Sequence, residues 1–118
     1  MKKEIIKINY TAEISLKRLN DVLTGAFEGG SNYWIEQCVA SKGKILDCIT
    51  SQNEYVMIKE NDRDENNYRV AKNDVILAAQ LMALQYPWYF EDILNENDDA
   101  TTSDVLLQLA TFKTIIYG

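Results

Sequence analysis

The chain has 118 residues, and 47% of them are apolar, which is enough to form one core in a domain of ordinary size. Its formal charge is −6, and its twelve basic residues are scattered except for the cluster Lys2, Lys3 and Lys7. Because strong binding to a nucleic-acid backbone needs clustered positive charge, this composition argues against direct DNA or RNA binding. We expect one domain spanning residues 1–118.

The first elements in chain order are a strand and a helix. Apolar and polar residues alternate over residues 4–11, which is the period of a half-buried strand. Ser15 then fits the N-cap of a helix with an apolar stripe from Leu16 to Phe27. Gly29 and Gly30 are predicted to end this helix, since glycine enters the left-handed conformation without a Cβ penalty.

The middle of the chain is predicted to be mainly β. Residues 33–39 are interpreted as a strand, in which alternation turns one of the Tyr33 and Trp34 rings inward and the other outward. Residues 40–53 fit either a helical turn or a strand. A strand is predicted over residues 54–60, and residues 68–70 are expected to pair back as the second arm of a hairpin across a polar turn.

Two further helices are predicted in the last third. Asn73 is taken as the N-cap of one, which Pro87 closes because the residue before proline is pushed out of the helical region. Thr101 with Asp104 resembles a capping box for the other, and residues 114–117 are expected to dock as a short strand or tail. The fold class is therefore α+β, an antiparallel sheet of about three to five short strands with about three helices in a single pair of layers.

Several kinds of catalytic and metal site are missing from the sequence. Histidine does not occur, which removes the commonest general base and the commonest metal ligand. Neither of the two common glycine-rich phosphate loops is found. The acidic loop over residues 95–99 has neither the glycine nor the ligand spacing of a helix-loop-helix calcium site. We predict a non-enzymatic protein with no catalytic residue, no metal site and no cofactor.

Cysteine usage and hydropathy indicate a compartment. Cys38 and Cys48 lie ten residues apart, which is not a metal or redox spacing. The sequence has no signal peptide and no apolar run of 18 or more residues. We expect reduced, mostly buried thiols, a cytoplasmic location and no membrane partner.

The run Trp88-Tyr89-Phe90 has two interpretations. Three consecutive aromatics after a proline can pack across a helix end, or they can form a binding or dimer surface, where Trp and Tyr are enriched. The burial of Trp88 distinguishes the two. In the second case the acidic stretch that begins at Asp92 would form the rim.

The segment 28–34, which reads EGGSNYW, also has two interpretations. It can be a helix stop followed by a strand, or a corner whose glycines expose backbone N–H groups beside an aromatic ring, able to hold a carboxylate, a nucleotide or a partner's loop. Together with the aromatic run, the candidate binding residues are Glu28, Gly29, Gly30, Ser31, Asn32, Tyr33, Trp34, Trp88, Tyr89 and Asp92.

The same EGGSNYW segment, directly after an apolar helix, resembles the signature of a family of small uncharacterised proteins encoded by bacteriophages and prophages, mostly of Firmicutes. The C-terminal end is similar too, with the helical run LLQLATF over residues 106–112 and the final YG. Residues 40–70 match poorly. The resemblance implies the cytoplasm of a bacterial host and a protein that acts by binding a host component.

Three functions follow as expectations. The first is a non-enzymatic phage or prophage protein that binds a host protein, for example to counter a defence system such as CRISPR. The second is a protein that binds a small ligand or nucleotide signal at the glycine corner, which requires Lys42, Lys44 or Arg69 nearby to offset the acidic charge. The third is a self-assembling structural phage component, and an exposed strand edge would also permit a symmetric homodimer.

Overall fold

The computed structural model describes residues 12–61 and 66–118. The strand predicted over residues 4–11 lies outside the described residues, as does most of the polar hairpin turn. In chain order the elements are α1 (Leu16–Gly25), a π-helical turn (Ala26–Gly30), β1 (Ile35–Ala40), α2 (Ile45–Cys48), β2 (Tyr55–Glu60), β3 (Asn67–Ala71), α3 (Lys72–Gln85), α4 (Pro87–Leu94) and α5 (Ala100–Phe112). The described part is α+β, with five α-helices and one antiparallel sheet in the order β1-β2-β3.

The first helix begins where the sequence predicts, but α1 ends at Gly25, and the glycines predicted as its stop end the π-helical turn that follows it. The Ser15 hydroxyl accepts a hydrogen bond from the backbone N–H of Arg18 at 3.1 Å, so Ser15 is the N-cap. The chain leaves the helix through the π-helical turn, in which Gly29 has a φ of 155°, a conformation that favours glycine. Gly30 is needed for a different reason: a Cβ there would lie 3.0 Å from the carbonyl oxygen of Ala100, where the turn approaches α5.

The strand predicted at residue 33 begins two residues later. Trp34 and Ile35 both donate backbone hydrogen bonds to the carbonyl of Ser31, so residues 31–34 form a turn before β1. The expected division of the two rings is nevertheless present, because Trp34 is 1% exposed and Tyr33 is 53% exposed.

The sheet is a meander with one buried face. The hairpin of β2 and β3 is confirmed, with Val56 opposite Val70 and Ile58 opposite Tyr68. Val56, Ile58 and Val70 are fully buried on the inner face, beside the helices. The ambiguous stretch over residues 40–53 contains the single-turn helix α2.

The predicted N-cap of α3 was wrong, and the predicted role of Pro87 was incomplete. The N-cap of α3 is Ala71, not Asn73, because the helix follows β3 directly and the Asp74 carboxylate accepts a hydrogen bond from the Ala71 N–H at 2.8 Å. Pro87 does end α3, but it also begins α4, where a missing N–H removes no helical hydrogen bond. The aromatic run is therefore helical, and the count of about three helices was too low by α2 and α4.

The capping box predicted from Thr101 and Asp104 is wrong. Asp99 is the N-cap of α5, since its carboxylate accepts a hydrogen bond from the Thr102 N–H at 3.0 Å. The Thr102 hydroxyl completes the reciprocal box. Asp104 is thereby left to face the interior.

The central element of the fold is α5, which packs against α1, α3, α4 and β3. Every residue from 102 to 111 is buried. The tail over residues 114–117 forms no strand and lies against this helix.

Both cysteines, Cys38 and Cys48, are free thiols. Burial raises the pKa of the Cys38 thiol to about 11, so this side chain is protonated and poorly nucleophilic at neutral pH. None of the helices in residues 12–61 and 66–118 is long and apolar enough to cross a membrane.

Candidate functional site

Asp104 is a buried carboxylate on α5 that collects four hydrogen bonds. Its Oδ1 accepts from the Ser31 hydroxyl and the Trp34 indole N–H, both at 2.7 Å. Its Oδ2 accepts from the Tyr33 hydroxyl at 2.5 Å and the Gln108 amide at 2.9 Å. Three of the last four residues of the EGGSNYW segment, Ser31, Tyr33 and Trp34, thus donate hydrogen bonds to one side chain that is 7% exposed.

Gln108, one turn further along α5, anchors the tail. Its side-chain oxygen accepts from the backbone N–H groups of Ile116 and Tyr117, each at 2.9 Å. Its amide nitrogen also donates to the Tyr117 carbonyl at 3.1 Å. Asp104 and Gln108 together therefore join the EGGSNYW segment to the C-terminal YG.

Tyr117 extends this network to the sheet. Its ring stacks on Trp34 with centroids 5.7 Å apart and planes 7° from parallel. Its hydroxyl donates to Glu60, which also accepts from the Tyr68 hydroxyl at 2.6 Å. Glu60 is only 4% exposed, so a second buried carboxylate lies on the other side of the stacked rings.

Neither buried carboxylate pairs with a cation in the part of the chain that the structure describes. The four ion pairs found there join Lys17 to Asp21, Arg18 to Asp98, Lys59 to Glu36 and Lys113 to Asp74. A buried charge is costly unless it is hydrogen-bonded, and here neutral hydroxyl, indole and amide donors supply those bonds. Asp104 is therefore hydrogen-bonded by neutral groups and has no cationic partner among the described residues.

A pocket of about 430 Å³ opens next to Asp104. Five aromatic rings and the carboxylate contribute to its wall: Tyr33, Tyr86, Trp88, Tyr89, Tyr117 and Asp104. The rings of Tyr86 and Trp88 are 5.8 Å apart and nearly perpendicular, at 87°. The pocket combines the two regions that the sequence analysis treated as separate candidate sites.

Exposure favours the surface interpretation of the aromatic run. Trp88 is 57% exposed and Tyr33 is 53% exposed, so neither ring serves mainly as core. Phe90, by contrast, is 7% exposed and packs inward from the same helix. The aromatic run therefore divides between core and surface along α4.

The predicted site residues separate into three groups. Those that line the pocket are Gly30, Tyr33, Trp88 and Tyr89. Those that lie beneath it, as donors to Asp104, are Ser31 and Trp34. Those that do not line it are Glu28, Gly29, Asn32 and Asp92, of which Gly29 shapes the turn and Asp92 lies one helical turn beyond Trp88 on α4.

The basic residues that a nucleotide site would need are not at this pocket. No Lys or Arg is among its described lining residues. Arg69 lies on β3 with its guanidinium 4.2 Å from the centre of the Tyr55 ring. Lys42 and Lys44 are exposed in the loop that follows β1. An anionic ligand would therefore meet an unneutralised carboxylate.

Asp104, Gln108, Tyr86 and Tyr117 were not predicted as site residues. A usable signal was the spacing of Asp104 and Gln108, which places two polar side chains on one face of a helix whose residues 105–107 and 109–110 are all apolar. Such a pair indicates a buried polar network when the helix is enclosed by other elements.

A larger apolar groove, of about 750 Å³, lies between α1 and α3. It includes Leu16, Leu19 and Leu84 and extends to Ala12, where the described part of the chain begins. Binding pockets usually combine apolar walls with a few convergent polar groups, and the aromatic pocket has both, with the exposed Trp88 and Tyr33 rings beside the Asp104 network. We therefore place the candidate site at the aromatic pocket.

Comparisons with known proteins identify no relative, since no protein-family model, curated protein or solved structure matches this chain. Among the described residues, no group of three or more Cys, Asp or Glu side chains is arranged to hold a metal ion. The geometry of the aromatic pocket is therefore the basis for a proposed function.

Proposed function

We propose that this chain is a small non-enzymatic phage or prophage protein that binds a host protein, and that the aromatic pocket is its contact surface. The observation that carries the proposal is the exposure of Trp88 and Tyr33 around one pocket. Solvent-exposed Trp and Tyr rings next to a concavity are typical of the residues that contribute most binding energy in protein interfaces.

The geometry behind the rings supports this role. Tyr33 is held from below by its hydrogen bond to Asp104, and Trp88 and Tyr89 belong to one helix. A contact surface that is already ordered loses less conformational entropy on binding than a flexible one. The pocket is therefore suited to receive a side chain that protrudes from a partner.

A second candidate is a protein that binds a small ligand. The pocket volume of about 430 Å³ supports it, because small-molecule sites usually measure about 300–1,000 Å³. A neutral or cationic ligand fits this version better than a nucleotide, because the described lining residues include no Lys or Arg.

The proposal can be tested by photo-crosslinking inside cells of a Firmicutes bacterium. The photo-reactive residue p-benzoylphenylalanine replaces Trp88 in one variant and Leu84 in a matched control. Leu84 is 81% exposed and lies outside the aromatic pocket. We expect a discrete crosslinked host protein from position 88 and none from position 84.

Three outcomes would contradict the proposal. The first is no product from position 88, and the second is the same set of products from both positions. The third is a product from position 88 with twice the mass of the chain, which would indicate self-association instead of a host partner.

A further inference from the structure

We infer that the aromatic pocket takes an arginine side chain of the partner, with the guanidinium between the rings and close to Asp104. This inference rests on the proposed function, since it names the chemistry that the contact surface recognises. Charge is the first reason. Among the described residues, the lining contains one acidic side chain, Asp104, and no Lys or Arg, so the pocket attracts a cation and repels an anion.

The way Asp104 is bound preserves that charge. All four of its hydrogen bonds come from neutral donors, two to each oxygen. Since a carboxylate has about four acceptor sites, a ligand gains little by approaching those oxygens directly. The carboxylate instead acts through space, and its field is weakly screened because Asp104 is 7% exposed.

Tyr33 provides a direct acceptor for the ligand. Its hydroxyl proton is directed at Asp104, so the lone pairs of its oxygen are turned to other donors. The Gln108 amide approaches one of them at 3.3 Å. A second lone pair is left for a guanidinium N–H, and the phenol becomes a stronger acceptor because it donates to a carboxylate.

The aromatic wall favours arginine over lysine. Cations are attracted to the faces of Trp and Tyr, and the planar guanidinium also stacks on such rings. The nearly perpendicular Tyr86 and Trp88 rings form walls in two directions. Lysine, a compact and strongly hydrated charge, would lose more hydration for fewer contacts.

Among the described residues, the N-terminus of α5 is the feature that would favour an anion, because Ala100 and Thr101 also line the pocket. The Asp99 carboxylate already occupies that helix end through its bond from the Thr102 N–H. Hydrogen bonds from this helix end hold the pKa of Asp99 below its ordinary value, with the Thr102 N–H as the main cause. Asp99 and Asp104 place two acidic side chains at this end of α5, so the formal charge at the pocket is negative.

The test compares two probes that differ in charge but hardly in shape, N-acetylarginine amide and N-acetylcitrulline amide. Binding to the full chain is followed by NMR through the indole N–H signals of Trp34 and Trp88, which the Trp88→Phe variant assigns. Ionic strength is kept equal with NaCl. We expect the arginine probe to shift both signals with a Kd on the order of 1–10 mM, and the citrulline probe to bind at least about fivefold more weakly.

Controls keep the result specific to the pocket. Trp88→Ala is expected to weaken the arginine probe by at least about threefold, and Leu84→Ala to leave its Kd unchanged. Equal binding of both probes, or binding of adenosine monophosphate in preference to arginine, would overturn the inference. So would the absence of any indole shift at saturating arginine probe.

The two proposals fail separately. If position 88 crosslinks a host protein but the arginine probe does not bind, the choice of arginine is wrong and the contact surface stands. If the arginine probe binds but no host protein is crosslinked, the pocket recognises cations and the proposed partner is wrong.

Discussion

At the scale of single residues, the two tryptophans have different roles. Trp34 is enclosed between Phe112 and Tyr117, with ring centroids 5.1 and 5.7 Å away, and its indole N–H is bonded to Asp104. Trp88 is more than half exposed at the pocket. The sequence alone does not distinguish the two residues. Their surroundings show that Trp34 is part of the core and that Trp88 is available for contact with a partner.

This difference predicts unequal losses of stability from the same substitution. Trp34→Phe removes a buried donor to Asp104 and part of the packing, so the free energy of unfolding should fall by about 2–3 kcal/mol. Trp88→Phe should change it by less than about 0.5 kcal/mol. Urea unfolding followed by circular dichroism measures both values. Similar losses for the two variants would contradict the assigned roles.

The raised pKa of Tyr33 leads us to expect a loss of folding stability at alkaline pH. Although the ring is half exposed, desolvation of its hydroxyl, the hydrogen bond to Asp104 and the charge of Asp104 raise the pKa of Tyr33 to about 12, against about 10 in an unfolded chain. Between those values the folded state binds more protons than the unfolded state, so stability falls as pH rises. Below about pH 10 the contribution of Tyr33 is fully present.

The matched variant for this prediction is Tyr33→Phe, which cannot ionise at position 33. The stability advantage of the wild type over the variant should be constant up to about pH 9 and decrease from about pH 10 to 12. Urea midpoints across this range supply the comparison. A constant difference up to pH 12 would show that Tyr33 has an ordinary pKa.

At the scale of elements, several local signals predicted the structure correctly, whereas the N-caps of α3 and α5 and the boundaries set by neighbouring segments were predicted wrongly. The Ser15 cap, the stop at Gly29 and the β2–β3 hairpin each depend on residues close in sequence. The delayed start of β1 depends on a turn that packs against α5, and α4 was missed because Pro87 was treated only as a helix terminator. Proline is also favoured at the first position of a helix, where it marks a helix start and not a helix end.

The cap of α5 gives a prediction at this scale. Asp99→Ala removes the acceptor for the Thr102 N–H and should lower the free energy of unfolding by about 1 kcal/mol, whereas Asp99→Asn should lower it by a few tenths. Thermal unfolding at neutral pH measures both. An equal loss in the two variants would mean that the charge, and not the cap, is what stabilises the helix.

The lowered pKa of Asp99 leads us to expect that folding stability also depends on pH in the acidic range. Because its folded-state pKa is lowered, its contribution is present above the unfolded value of about 3.9 and is lost as pH falls through the folded value. Asp99→Asn removes this dependence, so the stability difference between wild type and variant should shrink as pH falls below about 4. A stability difference between wild type and Asp99→Asn that increases as pH falls would contradict a lowered pKa of Asp99 in the folded state.

At the scale of the whole molecule, distant segments meet on α5. The glycine corner, the aromatic run and the tail were each singled out in the sequence, but their meeting was not predicted. Asp104 bonds the glycine corner and Gln108 bonds the tail, both from the middle of α5. In the sequence, Asp104 resembled part of a capping box. Periodicity assigns a residue to a face of its own helix, and it does not say which segment lies opposite.

The central claim is that the pocket around Trp88 is where this protein binds its partner. The most direct measurement is selection of a random peptide library on the wild-type protein, followed by affinity measurements on Trp88→Ala and Leu84→Ala. The account predicts that selected peptides bind Trp88→Ala on the order of tenfold more weakly and bind Leu84→Ala as tightly as wild type. Peptides that bind all three proteins equally, or that lose affinity only with Leu84→Ala, would contradict it.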